Sequence, residues 1–266
     1  MASRHKKGRK WKVVAVFVAA VALLVAGYFS YPYLQKYYKR FFGSGEEAEM
    51  GAVVPMQTYR QMYPQYNLFG IDVSEYQGDV DWETLVDKNK IDFAFVRATA
   101  GSDTKDRNFA ENWRQLKKYN VPRGAYHYYR PNENSTDQAN LFIKTVVIEK
   151  GDFVPVLDIE KYSKVQSVTS LKNGLLNWLS IVEAHYGVVP IIYTYSNFYE
   201  KVITDDKRFK KYPIWIAHYS EKENPKKLPA EWVFWQFCEE GRLEGIETYV
   251  DIDLCSSAEK FKALRK

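Results

Sequence analysis

The feature that most restricts the fold of this chain is a repeated alternation of strand-like and helix-like segments. Runs rich in β-branched and aromatic residues occur at 68–73, 93–98, 124–129, 153–159, 189–195, 214–218, 232–237 and 249–253. Helical patterns separate the first five runs, at 82–89, 109–119, 135–149 and 167–186. This alternation predicts a parallel sheet, and eight strands predict a closed barrel. The later connections are too short for full helices. We therefore expect an α/β fold, an irregular (β/α)8-type barrel with shortened later helices.

The segment before these runs has a different composition. Residues 1–12 carry six Lys and Arg and no acid, and residues 13–29 form an uncharged apolar run that aromatic residues extend to 34. A run of this length suits a membrane-spanning helix, which needs about 17 to 25 residues. We expect a basic cytoplasmic segment at 1–12, a transmembrane signal anchor at 13–34, a stalk at 35–66 and a catalytic barrel at 67–266.

The charge flanking the apolar run predicts where the barrel lies. Because basic residues favour the cytoplasmic side, the barrel is expected on the extracytoplasmic side, in the periplasm or at the cell surface, held to the membrane by the N-terminal helix. A cleaved signal peptide is the alternative, since small residues occur at 22–27.

The net charge of +5 originates in the N-terminal segment. Residues 1–40 contain nine Lys and Arg and no Asp or Glu, which leaves the rest of the chain at −4. No nucleic-acid-binding surface is therefore predicted for the barrel. The length of 266 residues is sufficient for one large core, and we expect a monomer.

Two carboxylates end the fourth strand-like run, which reads PVLDIE at 155–160. In a strand, Asp158 and Glu160 would share one face, because side chains alternate. Functional residues of a barrel collect at the mouth formed by the C-terminal ends of its strands. Asp72 ends the first run, and Asp251 and Asp253 end the last, so we expect a cluster of acids there.

Aromatic and polar side chains accompany the acids at the strand ends. Rings beside carboxylates suit a sugar, whose C–H faces stack on aromatic rings while its hydroxyls form hydrogen bonds. We predict substrate-binding roles for residues near this mouth: Arg97, Tyr126, Tyr128, Tyr193, Tyr195, Trp215, Tyr219, Trp235 and Gln236.

Other candidate sites have less support. His127 and His218 could join Asp72 in a metal site, but they match no known ligand spacing, and buried hydrogen-bonded histidines are the expected alternative. We predict neither a metal nor a cofactor. Cys238 and Cys255 end neighbouring runs in a compartment that permits disulfides, so they are a candidate pair, although strand ends can lie too far apart to bond.

A series of motifs runs through the chain from residue 70 to 255. In chain order they are GIDVS at 70–74, QG at 77–78, DW at 81–82, FAFVRAT at 93–99, GAYHY at 124–128, PVLDIE at 155–160, IYT at 192–194, Trp215, Ala217, Tyr219, WQ at 235–236 and VDID at 250–253. In the order and spacing of these motifs the segment resembles the glycoside hydrolase family 25 lysozymes, the Chalaropsis-type N-acetylmuramidases. Two positions depart from the family pattern: Ala100, where many members have Glu, and Asp253, where Asn is usual.

The resemblance implies a β/α barrel that hydrolyses the β-1,4 bond between N-acetylmuramic acid and N-acetylglucosamine in peptidoglycan strands. It implies catalytic roles for Asp72, Asp158, Glu160 and Asp251. Such hydrolysis needs one acid to protonate the leaving oxygen and one carboxylate at the anomeric centre. We assign the first role to Glu160. Asp158 would stabilise that centre or orient the substrate's N-acetyl group as nucleophile. Repulsion among the acids predicts a raised pKa for at least one of them, and we expect it at Glu160, which has the longer side chain.

Two other functions stay open from the sequence. A metal-dependent hydrolase would use the acids as Mg²⁺ ligands and would lose activity in EDTA. A membrane-anchored glycan-binding protein without turnover would bind peptidoglycan and leave it uncut.

Overall fold

The computed structural model describes residues 51–219 and 232–266, in which an eight-stranded α/β barrel closes. Pairing of the first strand with both the second and the last closes the sheet, and a further two-residue strand, β3, extends the second strand outside the barrel. The strands are β1 (Leu68–Val73), β2 (Phe93–Ala100), β3 (Thr104–Lys105), β4 (Arg123–Tyr128), β5 (Val156–Asp158), β6 (Ile191–Tyr195), β7 (Ile214–Ala217), β8 (Trp232–Gly241) and β9 (Val250–Cys255).

The last strand differs from the parallel sheet that the sequence pattern predicts. Strand β9 runs antiparallel to both β8 and β1, whereas the other barrel strands are parallel. The connection at 242–249 explains this, because a parallel crossover needs about a dozen residues or more. As a result the beginning of β9, not its end, lies at the mouth, and Asp251 stands opposite Asp72.

The later helices are short, as predicted: the helix after β5 has 19 residues, whereas the helices after β6 and β9 have 3 and 6. Asp81, Asn134 and Ser167 cap the helices after β1, β4 and β5 by accepting hydrogen bonds from backbone N–H groups. The helices are α1 (Met56–Met62), α2 (Trp82–Asn89), α3 (Phe109–Lys118), α4 (Ser135–Thr145), α5 (Val168–Tyr186), α6 (Ser196–Phe198) and α7 (Ala258–Ala263).

Helix α1 lies in the segment predicted to be stalk. Met56 and Tyr59 are buried, and the Tyr63 ring packs edge-on against Trp235 with 5.0 Å between centroids. The folded unit therefore begins at Gly51, and the boundary predicted at 67 is too late. Burial of aromatic area explains why this helix forms part of the unit.

The predicted basic segment 1–12, the anchor 13–34 and residues 35–50 of the stalk lie outside the described residues. Within the part of the chain that the structure describes, no helix is long and apolar enough to cross a bilayer.

Aromatic side chains fill the base of the barrel. Phe153 contacts Phe93 inside the barrel and Phe261 of α7, and the ring centroids of Phe153 and Phe261 are 5.0 Å apart. The C-terminal helix therefore covers this end. Gly124 leaves room for the ring of Phe95, since a Cβ there would lie 2.2 Å from that ring. With the base closed, the opposite end of the barrel is where a ligand can enter.

Candidate active site

One row of side chains crosses four neighbouring strands near the mouth. Tyr128, Asp158, Tyr193 and Trp215 stand opposite one another in register on β4, β5, β6 and β7. Glu160 follows two residues after Asp158, just beyond the end of β5, and is only half-buried. The pair therefore has one carboxyl inside the barrel and one at its opening.

The environment of Asp158 favours its protonated form. Burial raises the pKa of Asp158 well above its usual value, the charges of Glu160 and Asp72 raise it further, and Arg97 and Lys161 oppose this shift. Its Oδ1 atom is buried and has no hydrogen-bond partner among the described residues. Among the acids of the mouth, Asp158, the neighbour of Glu160, therefore has a raised pKa.

A hydrogen-bonded chain supports Asp72. The Gln236 amide donates from Nε2 to Asp72 Oδ2 at 2.6 Å, and its Oε1 accepts from the hydroxyls of Tyr193, at 2.7 Å, and Tyr219. Burial raises the pKa of Asp72 to about 7, and Glu160 adds to this, whereas hydrogen bonds from Gln236 and Asp253 lower it. Asp72 therefore changes charge close to neutral pH.

The two acids of β9 occupy different depths. Asp251 is half-buried and stands opposite Asp72 across the β1–β9 pair. Asp253 is completely buried, and its Oδ1 accepts from Trp215 Nε1 at 2.9 Å. Asp251 thus has access to the mouth, whereas Asp253 lies beneath it.

A cavity of about 350 Å³ opens beside Glu160. Its wall comes from β6, β7 and the segments that follow β5, β6 and β7. The lining residues are Glu160, Tyr162, Tyr195, Ser196, Asn197, Phe198, Ala217, His218 and Tyr219.

The structure separates the predicted sugar-binding residues into three groups. Four are half-buried near the opening: Tyr126, Tyr128, Tyr195 and Tyr219. Tyr193, Trp215 and Gln236 are only 6%, 2% and 2% exposed, and their polar groups bond to one another or to Asp72 and Asp253. These three lie below the opening and hold the acids in place.

The structure also places two predicted binding residues away from the cavity. Arg97 is buried, and its guanidinium donates to Asp106 and Glu75, each at 2.9 Å, so it secures the turn after β1. Trp235 points outward because its neighbour Gln236 points inward, and it packs under α1. The prediction that Trp235 contacts the sugar directly is therefore wrong.

His127 is a buried, hydrogen-bonded histidine, which was the expected alternative to a metal ligand. His127 lies on the outer side of the barrel, where its ring contacts Thr99 Oγ1 at 2.7 Å and Gln138 Oε1 at 3.1 Å and stacks on Trp178. Burial lowers the pKa of His127 to about 4. In the described ranges, no three His, Cys, Asp or Glu side chains are grouped to hold a metal.

The two cysteines do not form a pair in this structure. Cys255 stands opposite Phe234 in the β8–β9 register, whereas Cys238 stands opposite Ile252. Both thiols are free. The predicted disulfide is therefore wrong. Because β9 runs antiparallel to β8, Cys255 at the end of β9 lies beside the beginning of β8, whereas Cys238 lies farther along β8.

Six cavity-lining residues are not among the predicted catalytic and substrate-binding residues: Tyr162, Ser196, Asn197, Phe198, Ala217 and His218. Ser196 directly follows β6, so the rule that sites form at strand ends could have identified it and its two successors. Tyr162 lies in an irregular segment, where its ring packs against Phe198 at 5.0 Å between centroids. No periodic pattern marks such a contact.

Comparison with known proteins agrees with this architecture. Residues 71–246 match the family model Glycosyl hydrolases family 25. The chain is 35% identical to YegX of Escherichia coli K12 over 75% of this chain and 74% of that protein. It is 31% identical to lysozyme M1 of Streptomyces globisporus over 68% and 65% of the two chains.

A solved structure gives the same result. The bacterial lysozyme from Streptomyces coelicolor superposes with a TM-score of 0.68 and 28% identity, over 75% of this chain and 97% of that one. The resemblance found in the sequence motifs is thus confirmed, and the chain belongs to the glycosyl hydrolases of family 25.

Proposed function

We propose that this chain is a lysozyme that cuts peptidoglycan at the β-1,4 bond between N-acetylmuramic acid and N-acetylglucosamine. The observation that carries the proposal is the carboxyl pair, in which Glu160 lines an open cavity and Asp158 is buried behind it. The similarity to two lysozymes from Streptomyces supports the same reaction.

The pair divides the work of glycoside hydrolysis. Glu160 reaches the cavity and donates a proton to the glycosidic oxygen as the bond to the anomeric carbon breaks. Asp158 lies within electrostatic range of Glu160, and one proton held between the two relieves their repulsion. When that proton leaves with the sugar, the Asp158 carboxylate stabilises the positive anomeric centre or orients the substrate's N-acetyl group. Water then completes hydrolysis, with Glu160 as base.

The surrounding residues set the conditions for this step. Asp72, whose pKa lies near 7, adjusts the charge beside the pair, and half-buried Asp251 faces the mouth. The rings of Tyr128 and Tyr195 flank the pair across β4 and β6, where they can stack on sugar faces.

Product analysis on purified peptidoglycan tests the assignment. After digestion and borohydride reduction, mass spectrometry should find reduced muramic acid at the new chain ends, because a muramidase leaves muramic acid as the reducing sugar. Reduced glucosamine would instead indicate a glucosaminidase. Glu160→Gln should abolish the release of new reducing ends. Glu259→Gln changes an exposed residue on α7, and this control should release them at the rate of the unmodified chain.

We also propose that residues 13–34 anchor the chain and that the barrel works outside the cytoplasmic membrane, on the wall itself. The uncharged run behind six basic residues supports this arrangement. Cell fractionation with N-terminal sequencing tests it: the intact N-terminus should be in the membrane fraction, and a soluble form beginning after residue 26 would contradict the anchor.

A further inference from the structure

The aromatic side chains that face solvent stand together at one end of the barrel. Among the described residues, the exposed aromatic side chains are Tyr76, Tyr162 and Tyr249. Tyr162 lines the cavity beside Glu160, and the other two do not. Tyr76 lies in the turn that follows β1, and Tyr249 directly precedes β9, whose beginning is at the mouth. Two exposed rings at the mouth are therefore outside the site described above.

The order of the strands places Tyr76 and Tyr249 across the mouth from the cavity. Around the closed sheet the order is β1, β9, β8, β7, β6, β5, β4 and β2. The cavity is built around β6, and β1 is four strands away from β6 in either direction. Tyr76 comes four residues after Asp72, and Tyr249 comes two residues before Asp251. The two rings therefore belong to the opposite wall, next to the acids of β1 and β9.

A side-chain amide joins the two segments that carry these tyrosines. Gln77 Nε2 donates to the carbonyl of Tyr249 at 3.1 Å. The Oε1 atom of the same amide accepts from the backbone N–H of Ser74 at 2.8 Å, which fixes the turn after β1. The backbone beneath both rings is therefore held in one arrangement.

Each ring also has a guanidinium group against it. Arg97 Cζ lies 4.7 Å from the ring centroid of Tyr76, and Arg242 Cζ lies 5.9 Å from that of Tyr249. Arg97 is itself buried and ion-paired, so it is a fixed support. These cation–ring contacts restrain the two tyrosines. Because the rings are still 61% and 42% exposed, they can bind a ligand with little further loss of side-chain freedom.

A sugar chain is the ligand that suits this wall. Single exposed aromatic residues are common on protein surfaces, but these two restrained rings continue the row of acids that crosses the mouth. Sugar rings stack their C–H faces on aromatic rings. A peptidoglycan strand is longer than the two sugars that flank the cleaved bond, so its further sugars must pass over the rim of the barrel.

We propose that Tyr76 and Tyr249 form a second sugar-binding surface, which holds the part of the glycan strand that lies across the acids from the cavity. This inference rests on the proposed function, in which the strand crosses Glu160 and Asp158. One end of the bound segment lies in the cavity beside Glu160, and the other lies on the two tyrosines. Long strands reach both sites, whereas a disaccharide held in the cavity does not reach the tyrosines.

Binding of glycan fragments of defined length tests this surface. The Glu160→Gln chain, which should not cut its ligand, is titrated by calorimetry with a disaccharide and an octasaccharide prepared from peptidoglycan. Adding Tyr76→Ala or Tyr249→Ala should weaken octasaccharide binding about three- to tenfold, the effect of one ring contact, and leave disaccharide binding unchanged. Tyr76→Phe and Tyr249→Phe keep the ring and should bind like the parent. Val147→Ala, an exposed change beyond the end of α4, is the matched control.

Three results would overturn the second surface. They are unchanged octasaccharide affinity in both alanine variants, equal weakening for the two lengths, and phenylalanine variants as weak as the alanine ones. Product analysis with the original protein separates this outcome from that of the lysozyme assignment. Length-dependent weakening without any cleavage by the original protein overturns the lysozyme assignment alone, whereas cleavage with octasaccharide binding that ignores both tyrosines overturns the surface alone.

Discussion

At the scale of single residues, the carboxyl pair shows what a short motif can predict. Alternation along a strand was enough to place Asp158 and Glu160 on one side of β5. The difference in their burial depends on where β5 ends, and a sequence pattern does not mark that residue sharply. Asp158 is the last residue of the strand, so Glu160 is carried into the opening.

The pair should respond unequally to substitution. Glu160→Gln keeps the shape but cannot donate a proton, so turnover should fall beyond the ~10² to 10⁴ range of one acid–base step, because both steps use this residue. Asp158→Asn leaves the acid in place, and we expect a smaller loss. Steady-state rates on peptidoglycan decide this, with Glu259→Gln as the control. Equal losses in the two variants would contradict the division of roles.

His127 should make stability depend on pH. It is neutral and buried in the folded chain, with its pKa lowered to about 4 from 6.5, so stability is present above pH 6.5 and is lost as pH falls. The site should account for about 3 kcal/mol across this window. Denaturant unfolding measures the free energy of unfolding of the original protein and of His127→Gln. The original protein should lose about 3 kcal/mol relative to the variant as the pH falls from 6.5 to about 4. Parallel pH curves would contradict a neutral His127.

At the scale of elements, strand positions were predictable and strand direction was not. An apolar run has the same two-residue period whichever way it points, so β9 reads like its neighbours. Its direction follows from the short connection at 242–249, a length argument that the pattern itself does not contain. Helix α1 was missed for another reason: seven residues carry only two turns of periodicity.

Gly124 on β4 should be intolerant of a side chain. A Cβ there would lie 2.2 Å from the ring of Phe95, which is itself packed among aromatic rings. We expect Gly124→Ala to cost about 1 to 3 kcal/mol of unfolding free energy, as overpacked cores do. Chemical denaturation should detect this, and Gly51→Ala, which meets nothing within 4 Å, is the matched control. Adding Phe95→Leu should restore part of the loss, and an unchanged midpoint in the single variant would contradict the packing.

At the scale of the whole molecule, the short spacing along β5 predicts the stereochemical outcome. Carboxyls two residues apart lie nearer the ~5 to 5.5 Å separation of retaining glycosidases than the longer inverting one. The first product should therefore keep the β configuration, whether Asp158 or the substrate's N-acetyl group is the nucleophile. Proton NMR read before mutarotation checks this, and an initial α anomer would contradict retention.

The family and reaction class were predictable because ordered motifs cover nearly the whole barrel. The inner hydrogen bonds were not, since the chain from Tyr219 through Gln236 to Asp72 joins three strands that are distant in sequence. Only closure of the barrel brings them together.

Gly51 and Lys266, the first and last described residues of the folded unit, lie near opposite ends of the barrel. Near Gly51, the Val54 N–H donates to the carbonyl of Arg242, which follows β8 at the mouth. Lys266 bonds to Gly151 and Asp152 beside the closed base. A bead or electrode coupled through residue 266 would therefore leave the cleft facing the solution, whereas coupling at residue 51 would set the support beside the cleft. When this domain is immobilised, the choice between these two coupling positions decides whether an insoluble polymer can reach the cavity beside Glu160.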